Sequence, residues 1–300
     1  MRIDGNTRPT AVIGWPVTQS LSPVMHNAAY EALGLNWACL PLGVPDQRAL
    51  LSFAETARRL SFVGFNVTMP YKQAMAELCD EVATLAQMAG AVNTVHCVDG
   101  MLVGYNTDGR GLLEALESEA GFDPAGASVA VIGSGGAAGA AVTAFILAKA
   151  RSLALVNRDP GRAEQLAERV SGRLHGMEMT VHELGPAAAD AVQSADLVIN
   201  ATPLGMRLDD PSPVPAGWLR PGQVVFDMVY RVGDTALVRE AAGAGARAFG
   251  GLGMLVAQGA LAIDIWAGDE RGQATAPRDV MRSAAEAAMR ERADAEEAPR

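Results

Sequence analysis

Short apolar runs alternate with segments of helical spacing along the first third of the chain. The predicted strands are at 10–14, 37–44 and 61–68, and the predicted helices are at 24–33 and 46–60. Strands that alternate with helices imply a mostly parallel sheet. The pattern changes at 93–106, where two apolar runs meet at Asp99-Gly100, a dipeptide that tolerates the positive φ angles of a tight hairpin turn. We therefore expect an antiparallel hairpin at an edge of this sheet.

A second alternating series follows residues 121–126, a stretch rich in turn-forming glycine, aspartate and proline that comes after a predicted helix at 109–120. We place a domain change at this stretch. The predicted strands of the second series are at 128–132, 153–156, 179–182, 197–200, 224–228 and 247–249. Six strands with helices between them fit a doubly wound, Rossmann-type sheet. Helical spacing returns at 254–266 and in the alanine-rich end, and we expect the charged tail from Arg290 onward to be solvated and frayed.

Composition and charge limit the class of protein. The 300 residues are 49% hydrophobic and 19% charged, so a two-domain α/β protein is the expected organisation. The formal net charge of −10 disfavours a general attraction to nucleic acid or to an anionic membrane, because both depend on clustered lysine and arginine. The chain has no evident signal core or membrane span, so we expect a cytoplasmic protein. The oligomeric state stays open, with a homodimer as one candidate.

The cysteines and histidines do not indicate a metal centre. Cys39, Cys79 and Cys97 are widely separated and fit neither a disulfide framework nor a zinc pattern, which favours a reducing compartment. The four histidines have no paired metal-ligand spacing and are expected in structural or surface roles. We predict no bound metal.

A glycine-rich turn offers a site for a dinucleotide. The segment Gly133-Ser134-Gly135-Gly136-Ala137 follows an apolar strand and opens an alanine-rich helix. In this context the glycines let the backbone approach a pyrophosphate, which accepts hydrogen bonds from the N-terminal amides of the helix. Two alternatives use the same pattern: a tight strand-to-helix turn, and the adenosyl-cofactor site of a methyltransferase.

The residues after the next strand favour NADP over NAD. NAD sites commonly have an Asp or Glu there for the ribose hydroxyls, whereas this chain has Asn157-Arg158, with Arg162 four residues on. Arginine attracts a 2′-phosphate that a carboxylate would repel. The alternative is that both arginines are solvated residues at a helix start, and Asp159 between them adds a negative charge.

Lys72 and Asp108 are the candidate catalytic pair, and each follows a predicted strand. Reduction of a ketone by hydride transfer leaves negative charge on oxygen, which a lysine can stabilise and protonate. A nearby carboxylate can orient the ammonium group and adjust the proton-transfer equilibrium. Either residue alone is more often a surface group, so the prediction depends on the surrounding motifs.

Eight short segments, taken together and in order, resemble the shikimate dehydrogenase family. They are SLSPVMHN at 20–27, NVTMPYK at 66–72, GAVNT at 90–94, NTD at 106–108, GSGGA at 133–137, NATPLGM at 200–206, DMVY at 227–230 and GMLVAQ at 253–258. The resemblance extends over about residues 13–268. Gln19, Gly139 and Asp159 depart from residues that are common in the family.

The resemblance implies a two-domain enzyme that reduces 3-dehydroshikimate to shikimate reversibly with NADPH. It implies a substrate-binding and catalytic domain at 1–110, completed by C-terminal helices at 252–290. The NADP-binding domain would be 111–251, and 291–300 would be a charged tail.

The resemblance also implies roles for individual residues. Ser20 and Ser22 are expected to bind the substrate carboxylate together with Tyr230, and Lys72 is expected to donate a proton to the nascent alkoxide beside Asp108. The expected contacts to ring oxygens are Thr68, Asn93 and Gln258. The expected NADP-binding residues are Gly133, Ser134, Gly135, Gly136, Ala137, Asn157, Arg158, Arg162, Thr202, Met228 and Gly251.

Other interpretations stay open. A quinate/shikimate dehydrogenase that uses NAD or NADP would share these motifs, although serine rather than threonine at position 22 favours shikimate. A ligand-binding regulator could keep the fold without the chemistry, which the presence of Lys72 and Asp108 disfavours. An adenosyl-dependent transferase is disfavoured by the two arginines. Two of the expected substrate contacts also have structural alternatives. Ser22 could serve only as the N-cap of a helix, and Gln258 could be a polar residue on an otherwise buried helix.

Overall fold

The computed structural model describes residues 3–271 and 275–297, without the side chains of 269–271 and 296–297. The chain forms two compact units, one of Met1–Thr107 with Leu255–Arg300 and one of Asp108–Met254. We call them the first and the second unit. Each contains a six-stranded, mostly parallel sheet with helices, so the predicted α/β fold class is confirmed.

The strands and helices are numbered in chain order. The strands are β1 (Arg8–Gly14), β2 (Trp37–Gly43), β3 (Gly64–Val67), β4 (Glu81–Val82), β5 (Thr94–Val98), β6 (Met101–Tyr105), β7 (Ser128–Ile132), β8 (Ser152–Asn157), β9 (Glu178–Glu183), β10 (Leu197–Asn200), β11 (Val224–Asp227) and β12 (Arg247–Phe249). The helices are α1 (Ser22–Leu33), α2 (Gln47–Arg59), α3 (Lys72–Leu78), α4 (Thr84–Ala89), α5 (Asp108–Ala120), α6 (Gly136–Leu147), α7 (Pro160–Val170), α8 (Ala189–Ser194), α9 (Ala236–Gly243), α10 (Leu252–Arg271) and α11 (Arg278–Glu297).

The sheet of the first unit has the order β2-β1-β3-β5-β6-β4. Strand β1 pairs parallel with β2 and β3, so the loops that follow β1 and β3 both leave the sheet on the side where these strands have their carboxyl ends. The acidic cap predicted for α2 is confirmed, because Asp46 Oδ1 accepts a hydrogen bond from the Ala49 N–H at 2.8 Å.

The hairpin at Asp99-Gly100 is confirmed, but its predicted place at the sheet edge is wrong. Asp99 and Gly100 have φ angles of 50° and 75°, and β5 pairs antiparallel with β6. The short strand β4 then adds to β6 in parallel and forms the edge. A two-residue strand carries almost no periodicity, so the sequence pattern did not predict it.

Helix α10 packs on the sheet of the first unit through a buried tryptophan. Trp266 Nε1 donates a hydrogen bond to the Val95 carbonyl oxygen at 3.0 Å. A Cβ atom on Gly64 would overlap both of these groups, so glycine is needed on β3 for the indole to reach the strand. This contact brings a late segment of the chain onto a sheet made by the early one.

Helix α11 corrects the prediction for the C-terminus. It continues to Glu297, so residues 290–297 are helical rather than frayed, and 298–300 lie outside the described residues. Buried Met281 and Ala285 lie on this helix, which packs against α1. The alanine-rich spacing predicted a helix, but it did not show that the charged end continues it.

The sheet of the second unit is parallel throughout, with the order β12-β11-β10-β7-β8-β9. This is the doubly wound order in which the first and fourth strands, β7 and β10, are neighbours at the switch point. Phe145, Phe226 and Leu155 are fully buried among the helices and strands that cover it. Ligands of such sheets bind beyond the carboxyl ends of the strands, next to the switch point.

Among the described residues, the helices include none with both the length and the apolar character that crossing a bilayer requires.

Candidate active site

The loop between β1 and α1 carries Ser20 and Ser22. The hydroxyl oxygen of Ser20 accepts a hydrogen bond from the Ser22 N–H at 3.2 Å, which leaves the Ser20 hydroxyl proton to donate elsewhere. Leu21 is the N-cap residue of α1 and Ser22 is the first helical residue, so the interpretation of Ser22 as the cap is wrong. Two hydroxyl groups at a helix N-terminus suit an anion such as a carboxylate.

Thr68 and Lys72 follow β3 at the carboxyl end of the parallel strands, where the Ser20 loop also begins. The Thr68 N–H donates to the Ile13 carbonyl at 2.9 Å, and a Cβ atom on Gly14 would overlap the Thr68 methyl group. The ends of β1 and β3 therefore approach each other closely. Lys72 is the first residue of α3 and is partly buried.

Asn93, Thr107 and Gln258 form a buried hydrogen-bond network. Asn93 Nδ2 donates to Thr107 Oγ1 at 2.9 Å and to Gln258 Oε1 at 3.3 Å, while Asn93 Oδ1 accepts from the Thr107 N–H at 2.8 Å. Asn93 and Gln258 are 2% and 9% exposed. The structure thus brings together two predicted substrate contacts that lie far apart in sequence. Thr107 was missed, although its place between Asn106 and Asp108 in the NTD motif was a signal.

Asp108 begins α5, and the residue is 3% exposed. It directly follows Thr107, so the Asn93 network fixes the backbone immediately before it. Lys72 and Asp108 belong to different compact units, and their pairing stays a prediction.

The glycine turn lies at the carboxyl end of β7. Gly133 has a φ angle of 115°, and a Cβ atom there would lie 3.0 Å from the Ala201 carbonyl oxygen and 3.2 Å from Thr202 Cγ2. Helix α6 begins at Gly136, with Gly135 as its N-cap and no side-chain capping bond. A Cβ atom on Gly135 would meet no described atom within 4 Å. Helix N-terminal amides without a side-chain cap, next to a turn with free space at Gly135, fit the pyrophosphate of a dinucleotide. Ser134 and Ala137 belong to the same segment.

Arg158 follows β8, and Arg162 lies in the first turn of α7. Both side chains are exposed, and neither guanidinium group has a hydrogen bond or ion pair with the described part of the chain. Asn157 Nδ2 donates to the Asp159 carbonyl at 2.8 Å, which shapes the turn that presents Arg158. Two available guanidinium groups at the end of the second strand of this sheet suit a 2′-phosphate.

Met228, Tyr230 and Gly251 lie together after β11 and β12. The Gly251 N–H donates to the Val229 carbonyl at 3.0 Å, and a Cβ atom on Gly251 would overlap the Met228 carbonyl oxygen. Tyr230 and Gly251 line a cavity of about 460 Å³ within the second unit. Only glycine at position 251 allows these two loops to approach so closely.

Asn200 and Asp227 are polar residues that the sequence reasoning left without a role. Asn200 Oδ1 accepts from the Thr202 N–H at 2.9 Å and from the Thr202 hydroxyl at 2.7 Å. Asn200 Nδ2 donates to Leu204 O at 3.0 Å and to Asp227 Oδ1 at 2.8 Å. The sequence contained a sign of their importance, since Asn200 and Asp227 are the first residues of the family-like segments NATPLGM and DMVY. Asn200 therefore fixes the loop that carries Thr202.

The thiols do not suit covalent catalysis. Burial raises the pKa of the Cys39, Cys79 and Cys97 thiols to about 12. A thiol with such a pKa is protonated at neutral pH and is a poor nucleophile. Within residues 3–271 and 275–297, the described side chains include no His, Cys, Asp and Glu group arranged to hold a metal ion.

The second unit has the strand order, the glycine turn and the uncapped helix that a dinucleotide requires, and the first unit presents hydroxyl, amide and ammonium groups on an α/β scaffold. These features define a two-domain α/β protein of the dinucleotide-binding class.

Comparison with known proteins gives the family. Residues 12–95 match the model of the shikimate dehydrogenase substrate binding domain, and residues 115–206 match that of shikimate / quinate 5-dehydrogenase. The shikimate dehydrogenase (NADP(+)) of Citrifermentans bemidjiense is 46% identical over 269 residues, which cover 89% of this chain and 92% of that protein. The chain therefore belongs to the shikimate dehydrogenase family.

Two further comparisons agree with this assignment. The shikimate dehydrogenase (NADP(+)) of Rubrobacter xylanophilus is 47% identical over 269 residues, which cover 89% of this chain and 93% of that protein. The crystal structure of shikimate 5-dehydrogenase from Thermus thermophilus in complex with NADP(H) and shikimate is 38% identical, with a TM-score of 0.81 and coverage of 94% of this chain and 99% of that chain.

Proposed function

We propose that the protein catalyses the reversible, NADP-dependent oxidation of shikimate to 3-dehydroshikimate, a reaction of aromatic amino acid biosynthesis. The observation that carries this proposal is that similarity to enzymes named NADP-dependent shikimate dehydrogenases runs through both compact units and nearly the full length of those relatives. In this proposal the first unit binds the substrate and the second unit binds the cofactor. We keep the expected bounds of 1–110 with 252–290 for the catalytic domain, so that it includes Asp108, the first residue of the second unit.

The proposed NADP site is supported by the fit of the second unit to the groups of the cofactor. The amides at the start of α6 would hold the pyrophosphate, and Arg158 and Arg162 would hold the 2′-phosphate. Thr202, Met228 and Gly251 follow neighbouring strands and would line the rest of the site. When bound, the cofactor supplies the hydride to the ketone or accepts it from the alcohol.

The proposed substrate site uses hydroxyl and amide groups. Ser20 and Ser22, together with Tyr230, would bind the carboxylate, and Thr68 with the pair Asn93 and Gln258 would bind ring oxygens. Sites of this kind reject an analogue that lacks the matching oxygen, because a buried polar group is then left without a partner. The donor set therefore favours a small polyhydroxylated acid.

Lys72 is proposed to exchange a proton with the reacting oxygen, and Asp108 to orient its ammonium group. In the reductive direction, negative charge that develops on the carbonyl oxygen is stabilised by the cation and removed by proton transfer. Asp108 is buried at the start of α5, which suits a carboxylate that orients a partner group better than a solvated surface position would.

A spectrophotometric assay tests the proposal directly. The purified protein is given shikimate or quinate with NADP or NAD, and formation of the reduced cofactor is followed. We expect the highest kcat/KM for shikimate with NADP. Faster oxidation of quinate with NAD would identify a quinate dehydrogenase, as the shikimate / quinate family description allows. Thermal stabilisation by NADPH without turnover of any substrate would favour a non-catalytic regulator.

The proposal extends to location and assembly. We place the enzyme in the cytoplasm, where its three free thiols would stay reduced. A homodimer is the assembly to be tested, and analytical ultracentrifugation of the purified chain would measure its mass. A monomer at micromolar concentration would contradict this part of the proposal alone.

A further inference from the structure

The C-terminal helix of the first unit makes a forked contact with the loop that carries Ser20. Arg292 Nη1 donates to the Gln19 carbonyl oxygen at 2.7 Å, and Arg292 Nη2 donates to the Ser20 carbonyl oxygen at 3.4 Å. These residues are separated by more than 270 positions in sequence. A planar guanidinium group that binds two successive carbonyl oxygens restrains the peptide planes that carry them.

The loop has few other restraints at this point. The Ser20 N–H donates to the Val17 carbonyl at 3.0 Å, whereas the Thr18 and Gln19 side chains between them are exposed. The Arg292 contact therefore acts on the part of the loop that lacks side-chain packing.

Helix α11 is itself anchored near its start by contacts with α10. The Ala276 N–H donates to Asp264 Oδ1 at 2.7 Å, and Arg278 Nη1 lies 3.7 Å from Asp264 Oδ2. Further along, the helix packs against α1 through buried residues that include Ala285. The Arg292 side chain thus extends from a fixed helix to the Ser20 loop, rather than from one loop to another.

We propose that Arg292 is a positioning residue for the substrate carboxylate, and that it acts by fixing the backbone of Gln19 and Ser20. The Ser20 hydroxyl already accepts a hydrogen bond from the Ser22 N–H, so a fixed Ser20 backbone directs its proton toward an incoming anion. This inference rests on the proposed function, in which Ser20 binds the carboxylate of shikimate.

The test compares Arg292→Ala, Arg292→Lys and a matched control, Arg290→Ala, which removes an exposed arginine from the same helix. We expect Arg292→Ala to raise the KM for shikimate about tenfold, the factor that a charge-assisted hydrogen bond of about 1.4 kcal/mol provides. The KM for NADP should stay within about twofold. Arg292→Lys, which keeps the charge but loses the fork, should lie between the wild type and the Ala variant.

A double-mutant cycle separates positioning from a general loss of structure. If Arg292 acts through Ser20, the variant with both Ser20→Ala and Arg292→Ala should have nearly the same shikimate KM as Ser20→Ala alone. Additive increases in KM, or a shikimate KM for Arg292→Ala equal to that of Arg290→Ala, would overturn the inference. If Arg292→Ala does not fold, Arg292→Lys replaces it, and its shikimate KM is compared alone and in combination with Ser20→Ala in the same way. A wild-type protein without shikimate oxidation would instead refute the proposed function, so the two failures are distinguishable.

Discussion

Asn200 and Asp227 join the carboxyl ends of the neighbouring strands β10 and β11 through a hydrogen bond of 2.8 Å from Asn200 Nδ2 to Asp227 Oδ1. The same carboxylate oxygen accepts from the Val229 N–H at 3.0 Å, and the Thr235 hydroxyl donates to Oδ2 at 2.6 Å. Asp227 is fully buried, and this burial raises the pKa of its carboxyl group. One carboxyl group thus holds the two loops that follow these strands.

Replacement of Asp227 should separate the loss of the acceptor from the loss of the charge. Asp227→Ala leaves three donors without their acceptor and should lower the free energy of unfolding by roughly 2–4 kcal/mol. Asp227→Asn should cost less than about 1 kcal/mol, because an amide oxygen still accepts from Asn200 and Val229 while its N–H group donates to Thr235. Chemical denaturation measures both losses, with Asp234→Asn at an exposed position as the control. Equal destabilisation by Ala and Asn would contradict this account.

The same site predicts the sign of a pH effect. A carboxyl group whose pKa is raised above 3.8 by folding stabilises the native state most at a pH below 3.8, and this stabilisation is lost as the pH rises through the native pKa. Asp227→Asn cannot ionise, so its stability relative to the wild type should improve as the pH rises over that range. A constant difference from a pH of about 3.5 to neutrality would show that the carboxyl group has the same pKa in both states.

Lys72→Ala should lower kcat by roughly 10²–10⁴, the usual contribution of a positioned acid or base. The NADPH dissociation constant should change little, because Lys72 lies in the first unit. The sequence contains two lysines, and the other, Lys149, is exposed in the second unit, so Lys149→Gln is a matched control. An unchanged kcat for Lys72→Ala would remove this residue from the mechanism.

Arg158→Ala should weaken NADPH binding by about 1.5–3 kcal/mol, the scale of a hydrogen bond to a charged group. Binding of NADH should change little, since NADH has no 2′-phosphate. Titration calorimetry with both cofactors checks the difference, and Arg173→Ala removes another exposed arginine of the second unit as the control. Similar losses for NADPH and NADH would refute a role in binding the 2′-phosphate.

His26 should make the protein less stable in acid. It is fully buried on α1, its Nδ1 lies 3.1 Å from the Tyr30 hydroxyl oxygen, and its Nε2 has no hydrogen-bond partner in the described structure. Burial lowers the pKa of His26 from 6.5 to about 4. Below pH 6.5 the unfolded chain therefore binds a proton that the native protein excludes.

The free energy of unfolding should therefore fall between pH 6.5 and pH 4, with a His26 contribution of up to about 3 kcal/mol. His26→Gln keeps a polar group near Tyr30 but cannot titrate. Urea denaturation at several pH values should show a shallower decline for His26→Gln than for the wild type, with His175→Gln at an exposed position as the control. Parallel declines would show that His26 is protonated in the native state as readily as in the unfolded state.

Local sequence patterns predicted much of the fold. The runs at 128–132 and 197–200 became the largely buried strands β7 and β10 with the predicted bounds, because an apolar run with turn residues on both sides indicates a buried strand. The short run at 247–249 became β12, also with the predicted bounds, although none of its three residues is buried. The helix predicted at 24–33 is confirmed as α1, which ends at Leu33 and is followed by the C-cap residue Gly34, whose φ angle of 64° a glycine adopts without strain. Strand β4 was missed, since two residues at a sheet edge depend on pairing with β6 rather than on their own pattern.

The sequence by itself determined the α/β class, the alternation of elements and the glycine turn, because these depend on the period of apolar residues and on backbone freedom within a few positions. The motifs also determined the family. Only the tertiary structure decided that Asn93 meets Gln258, that Asn200 meets Asp227 and that Arg292 reaches the Ser20 loop. Each of these contacts joins residues that are at least 27 positions apart in the chain. The first two are buried, where polar groups cut off from water must find partners within the protein, and no local pattern in the sequence specifies which partners those are.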